Sequence, residues 1–213
     1  MPEIKFFFAP GACSLCPHIL LHEIEADFKP FQVINKGPEV KFSDDFHRIN
    51  PKMRVPVIAV DEQVITELPA VATVISSLVP ERGLMGKNTI DTVRVYEWMN
   101  YLSGTLHAGG FGHLFRPDRW TTATDLTSLE GVKLKARERV VESFQFIEEK
   151  LDEVHAVGGY FTAVDSFLYV FYRWGMMMGE DMLLYPKYAE MYSRSENVAK
   201  SERVESGNVV KDS

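Results

Sequence analysis

The chain has 213 residues, 46% of them hydrophobic and 12% aromatic, a composition that rules against disorder and allows one compact unit or two small domains with a real core. Thirty acidic against 23 basic side chains, net −7, leave no electrostatic footprint for a nucleic acid and disfavour anionic membrane surfaces. No apolar stretch approaches the roughly 20 residues needed to cross a bilayer, and Met1-Pro2-Glu3 lacks the basic start of a secretory signal, so a cytoplasmic protein is expected.

Along the chain, Ile4 to Ala9 is Phe-rich and closed by Pro10-Gly11, which predicts a short buried strand ended by a turn. Leu15, Ile19, Leu20 and Ile24 recur at helical spacing, with Pro17 tolerable in the first turn. A second strand is predicted over Phe31 to Ile34, then a short helix carrying Phe42 and Phe46 and closed by Asn50-Pro51. Val57 to Val60 and Val64 to Thr66 flank Asp61-Glu62-Gln63 as a hairpin, and Ala70 to Leu78 forms a helical patch stopped by Pro80. The order β-α-β-α-β-β-α predicts a small α/β domain over residues 1–80, with 81–87 as linker.

From residue 88 to 213 the pattern is helical without a convincing strand, predicting an all-α second domain. Val95, Met99, Leu102 and Leu106 form one stripe on a helix beginning near Thr89. Val132, Ala136, Val140, Phe144, Ile147, Leu151 and Val154 form another, ending at Gly158-Gly159. Thr162 and Asp165 have the spacing of a capping box before Phe167 to Trp174, a continuous apolar run that reads as a central buried helix. Ser206 to Ser213 has the composition of a frayed tail.

Chemistry concentrates at the Gly11-Ala12-Cys13-Ser14 turn. A strand-to-helix turn puts Cys13 and Ser14 at a helix N-terminus, where free amides and the macrodipole stabilise a thiolate. Cys13-Ser14-Leu15-Cys16 is also a C-x-x-C, but Cys16 one turn on reads as a core residue, so dithiol exchange ranks second. A cis Val55-Pro56 bond would turn the Val55 backbone toward a peptide ligand. Glu67 reads either as an acid complementing a helix dipole or as the grip on a ligand's amino group. Lys52 and Arg54 are surface charges or partners of a small anion. His107 faces either solvent or the cleft between domains, and His18 and His22, four apart without a third ligand, read as packed or solvated histidines. No metal site is expected, and Met176 to Met178 read as packing.

Three stretches taken together, Phe8 to His18, Ile49 to Pro56 and Thr162 to Asp165, resemble cytosolic glutathione transferases, most closely the bacterial beta class. The resemblance covers essentially the whole chain. It implies a thioredoxin-like N-terminal domain with a cis Val55-Pro56 bond, an all-α helical-bundle domain, a homodimer, and glutathione as cosubstrate. It further implies that Cys13 approaches the glutathione sulfur while Ser14 matches the hydroxyl donor of serine-type classes. Val55 would pair with the cysteinyl backbone, Glu67 and Leu68 would lie at the γ-glutamyl end, Lys52 near the glycyl carboxylate, and His107 would face the ligand from the second domain.

The sequence departs from the family pattern at Leu68-Pro69, where Ser or Asn usually follows the acid, at Ala108 in place of a basic residue, and at Phe8 in place of Tyr. The expected function is transfer of the glutathione thiol to a small hydrophobic electrophile. Alternatives are glutathione-dependent cis/trans isomerisation, thiol-disulfide exchange through Cys13, and a non-catalytic binding module.

Overall fold

The computed structural model describes residues 2–35, 41–42, 45–151 and 154–194. The predicted tail at Ser206 to Ser213 lies outside them. The first strand, β1 (Ile4–Phe8), is followed by α1 (Leu15–Glu23) and β2 (Lys29–Gln32), a parallel crossover pairing Lys5 with Lys29 through Phe8 with Gln32. β5 (Val57–Val60) pairs antiparallel with the other edge of β1, and β6 (Gln63–Thr66) pairs with β5, giving the order β2-β1-β5-β6. The Phe-rich first strand is explained by burial on both faces. Phe6 and Phe8 join one core and Phe7 joins Val33, Phe46, Val57 and Ala59 in another, the alternation a strand imposes.

The second strand starts two residues earlier than predicted, because Lys29 is where pairing with β1 begins; Ile34 then leaves that sheet as part of β3 (Ile34–Asn35), which pairs with β4 (Lys41–Phe42). Phe42 is therefore in a strand, and only Phe46 belongs to the short helix α2 (Phe46–Ile49). A spacing of four does not distinguish one turn of helix from a strand residue followed by a helical one. The β5–β6 hairpin turns on Asp61-Glu62, with Asp61 at φ +52, the conformation of tight two-residue turns. Asp61 also receives the Glu3 amide (2.9 Å) and donates its own to the Glu3 carbonyl (2.8 Å), tying hairpin to first strand.

After β6 comes α3 (Leu68–Leu78), then a tight turn with Gly83 and Gly86 at positive φ. A side chain at Gly86 would meet the Thr92 backbone at 2.4 Å, so only glycine fits. The remainder is helical: α4 (Thr89–Tyr101), an eleven-residue stretch of wide π-helical turns (Leu102–Gly112), a single turn α5 (His113–Phe115), α6 (Leu126–Lys150), α7 (Ala163–Met177) and α8 (Pro186–Ser193). Asn88 caps α4 through the Asp91 amide and Asp125 caps α6 through the Ser128 amide, both at 2.9 Å. α6 stops at Lys150, short of the predicted Val154. Glu148 lies near its C-terminal end, where the dipole disfavours acids, and its carboxylate instead receives the Lys187 and Tyr188 amides at the start of α8.

The Thr162–Asp165 capping box forms as predicted, and α7 is buried from Ala163 through Tyr172 and again at Trp174, packed against α1 of the α/β half. Among the described residues, no helix is long and apolar enough to cross a membrane.

Candidate functional site

The site is built where β1 turns into α1. Gly11 sits at φ +74 with open space around its missing side chain, so backbone conformation rather than crowding requires glycine. Ala12 donates to the Ala9 carbonyl (3.1 Å), and the turn delivers Cys13 to the entry of α1. Cys13 is buried, 8% exposed, and its Sγ lies 3.5 Å from the carbonyl of Val55, which precedes a cis Val55–Pro56 bond. Ser14 is fully buried. Its hydroxyl accepts from the Ala9 amide (3.2 Å) and donates to the Ala9 carbonyl (3.1 Å), closing the turn on itself.

Cys16 belongs to the core. Its Sγ is 3.1 Å from the Ser166 hydroxyl and 3.9 Å from the Ala163 carbonyl, and burial pushes its thiol far above the ordinary range. It is held as a neutral thiol and is not an attacking group.

The segment opposite the thiol is held by Asn50, which is buried and bridges the Lys52 amide (3.2 Å) and the Arg54 carbonyl (2.7 Å). Lys52 reaches the other way: its ammonium donates to the Thr66 hydroxyl (2.7 Å) and pairs closely with the Glu67 carboxylate. Both partners are largely exposed, so the pair adds little stability; it fixes a charged edge beside the turn. Glu67 takes φ +68 at the entry to α3, a conformation costing a non-glycine residue about 1–3 kcal/mol. This holds its carboxylate outward at the positive end of the helix. Leu68 faces inward, 7% exposed, so only its backbone is at the edge.

From the helical half, His107 arrives on the π-helical stretch, half-buried against Trp174 (5.5 Å between ring centres), Phe171 (6.1 Å) and Phe167 (6.3 Å). Burial, and secondarily the positive charge of Arg54, lower its pKa to about 4, so it is neutral at pH 7. Trp174 donates its indole N–H to the Gly11 carbonyl at 2.9 Å. Sequence reasoning missed this residue, although an indole donor inside an otherwise apolar buried helix needs an acceptor and is the signal that could have found it.

The structure thus sets the Cys13 thiol against Val55 beside the cis Pro56 bond, pairs Lys52 with Glu67 just before Leu68 opens α3, and packs His107 on Trp174, whose indole holds Gly11. Ser14 belongs to the turn, with its hydroxyl buried beneath it on Ala9. His18 and His22 stack at 5.1 Å within Phe6, Phe8 and Phe28, an aromatic packing role. A thiol at a helix start, against a backbone carbonyl beside a cis proline, stands where free amides can lower the cost of ionising a thiol.

No family model matches the chain. Glutathione S-transferase GstA of Escherichia coli O157:H7 is 34% identical over 174 residues, 80% of this chain and 82% of that protein. In structure the chain is similar to a glutathione transferase homologue from Sulfitobacter with bound glutathione (TM-score 0.85, 25% identity, 96% of this chain and 99% of that one). It is also similar to the beta-class glutathione S-transferase of Sphingomonas chungbukensis (TM-score 0.80, 29% identity, 94% and 98%).

Proposed function

The chain belongs to the cytosolic glutathione S-transferase superfamily, of the bacterial beta-class type, and from that premise we propose that it binds glutathione at the Gly11–Cys13 turn and directs its thiolate at a small apolar electrophile. Cys13 meets the glutathione sulfur at the positive end of α1. The Val55 backbone, presented beside Pro56, pairs with the cysteinyl unit. Glu67 takes the γ-glutamyl ammonium, and the Leu68 amide, at the start of α3, takes the neighbouring carboxylate in place of a side-chain donor. Lys52, already paired with Glu67, orders that edge. Lys52 also lies toward the glycyl carboxylate, with Arg54, whose charge is felt at His107, as a second cation on that side. His107 faces the electrophile as a neutral imidazole.

What supports this above all is the approach of the Cys13 thiol to the Val55 carbonyl, 3.5 Å apart, where a thiol peptide would displace the contact with its own backbone pairing. Ser14 supports the turn from beneath; both its bonding roles are taken by Ala9. With Cys16 neutral and buried, exchange through Cys13 would run by a mixed disulfide with glutathione rather than by an internal dithiol. Residues 1–80 form the glutathione domain and 88–213 the electrophile domain, joined by 81–87.

The homodimer is proposed across α3 and α4. Ile90, Val93 and Tyr96 are exposed on α4, and Tyr96 forms the wall of a groove of about 620 Å³ with Pro69, Ala70 and Val74 of α3. An apolar patch of this kind is where a second copy would be covered.

The test is retention on immobilised glutathione together with turnover of 1-chloro-2,4-dinitrobenzene. Cys13→Ala is expected to lose turnover by at least about tenfold, the scale of one lost interaction at a reacting sulfur. Wild-type turnover in Cys13→Ala would remove Cys13 from the reaction.

A further inference from the structure

We propose that Trp174 is a positioning residue for the thiol turn: its indole holds the Gly11 carbonyl, and thereby the placing of Cys13, from the helical half of the molecule. This role rests on Cys13 meeting the glutathione sulfur.

The contact spans 163 residues of sequence at 2.9 Å, inside the ordinary range for an N–H···O bond. An indole can only donate, so its acceptor fixes the ring's direction. The ring is also held on its other sides. Phe111 (5.1 Å), Phe115 (5.3 Å) and Phe171 (5.5 Å) meet it edge-on, and His107 tilts against it at 5.5 Å.

The next residue, Gly175, has no room for a side chain: a Cβ would lie 2.4 Å from the Met182 sulfur and 2.9 Å from the Phe144 ring. α7 is therefore pressed close at this point, and the indole projects from a rigid base. At the other end, Gly11 stands two residues before Cys13 at φ +74, in a turn whose thiol meets the Val55 carbonyl at 3.5 Å. A small rotation at Gly11 or Ala12 swings the Cys13 Sγ, and misplacement by an ångström is costly at a reacting centre. Trp174 restrains that rotation from the Gly11 side, in addition to the bonds within the turn.

The same ring touches His107 and Phe115, which is 37% exposed. An electrophile seated against these side chains would lean on the strut that places the thiol, so occupancy of one side is felt on the other.

Trp174→Phe keeps an aromatic wall and deletes the donor. The expected result, with glutathione and 1-chloro-2,4-dinitrobenzene, is a fall of about tenfold in kcat and a KM for the electrophile within about twofold. The pH–rate profile should move upward by about half a unit, because the thiolate is held less well. Trp98→Phe, which removes a ring packed on Phe146 at 6.0 Å, should leave all three values unchanged. An unmoved pH profile with kcat within twofold of wild type overturns the role, and a merely structural Trp174 gives a lower melting temperature with that result.

Should Trp174→Phe not fold, indole 15N–1H spectra of the wild type decide it. One of the three indole protons should be slow to exchange and should shift on adding glutathione; three fast-exchanging, unshifted indoles overturn it. A failure of the Cys13 reading itself shows separately, as wild-type turnover in Cys13→Ala, and removes the Trp174 role with it; a wild type that is not retained on immobilised glutathione removes both.

Discussion

Replacing Ser14 by alanine separates the two residues that a transferase turn can use. The Ser14 hydroxyl accepts from the Ala9 amide at 3.2 Å and donates to the Ala9 carbonyl at 3.1 Å in a fully buried place. In Ser14→Ala the carbonyl keeps the Ala12 amide as donor (3.1 Å), whereas the Ala9 amide loses the acceptor shown for it. Stranding one buried donor costs about 1–3 kcal/mol. For a chain of this length each kcal/mol lowers the melting temperature by about 2–4 °C, so a fall of about 4–8 °C is expected for a mid-range loss of 2 kcal/mol. Thermal denaturation gives that number. Conjugation per folded molecule, measured well below the melting temperature, should fall less than about fivefold, the equivalent of roughly 1 kcal/mol in transition-state contact. A loss of about a hundredfold in kcat with an unchanged melting temperature would refute the reasoning, because it would make Ser14 the group that serves the sulfur.

Asp165, 1% exposed, receives the Thr162 and Ala156 amides at 2.7 and 2.9 Å; Asp165→Ala should cost about 3–5 kcal/mol for two stranded donors and a lost cap, and denaturant unfolding with a loss below 1 kcal/mol would contradict it. His18 is fully buried with a pKa lowered to about 3, first by burial and then by His22, which stacks on it. Between about pH 3 and 6.5 the unfolded chain therefore binds a proton that the folded one refuses, and stability falls as pH drops through this window, by up to about 1.4 kcal/mol per pH unit. His107 acts in the same direction with its value near 4. His18→Leu should flatten the slope of urea midpoints between pH 4.5 and 6.5, and an unchanged slope would exclude His18 as a source. Val93, 57% exposed beside the α3–α4 groove, should yield a monomer in light scattering when changed to Asp; a persisting dimer would place the interface elsewhere.

The parts of this protein legible in the sequence are those governed by local rules. The Phe run closed by Pro-Gly, the turn carrying Cys13, the Asp61 hairpin, the capping box at Thr162 and the buried helix after it each depend on a few neighbouring residues, and each appears in the structure. Cys16 was readable as core from its place one turn into a helix, and Cys13 as the thiol at the helix start; both are buried in the structure.

Long-range pairing decided the rest. Strand β2 begins at Lys29 because β1 offers its edge there, and Phe42 joins a strand because Ile34 is its partner; neither partner is visible from local spacing. The α6 stop at Lys150 accompanies a Glu148 already engaged with α8. The apolar patterns by themselves determined an α/β half followed by a helical half, with a thiol at the first helix start. Only the tertiary structure decided that the Ser14 hydroxyl lies under the turn, that His107 is neutral among aromatic rings, and that Trp174 reaches Gly11, because a short stretch can signal an indole that needs an acceptor but not which acceptor, 163 residues away, the packed chain supplies.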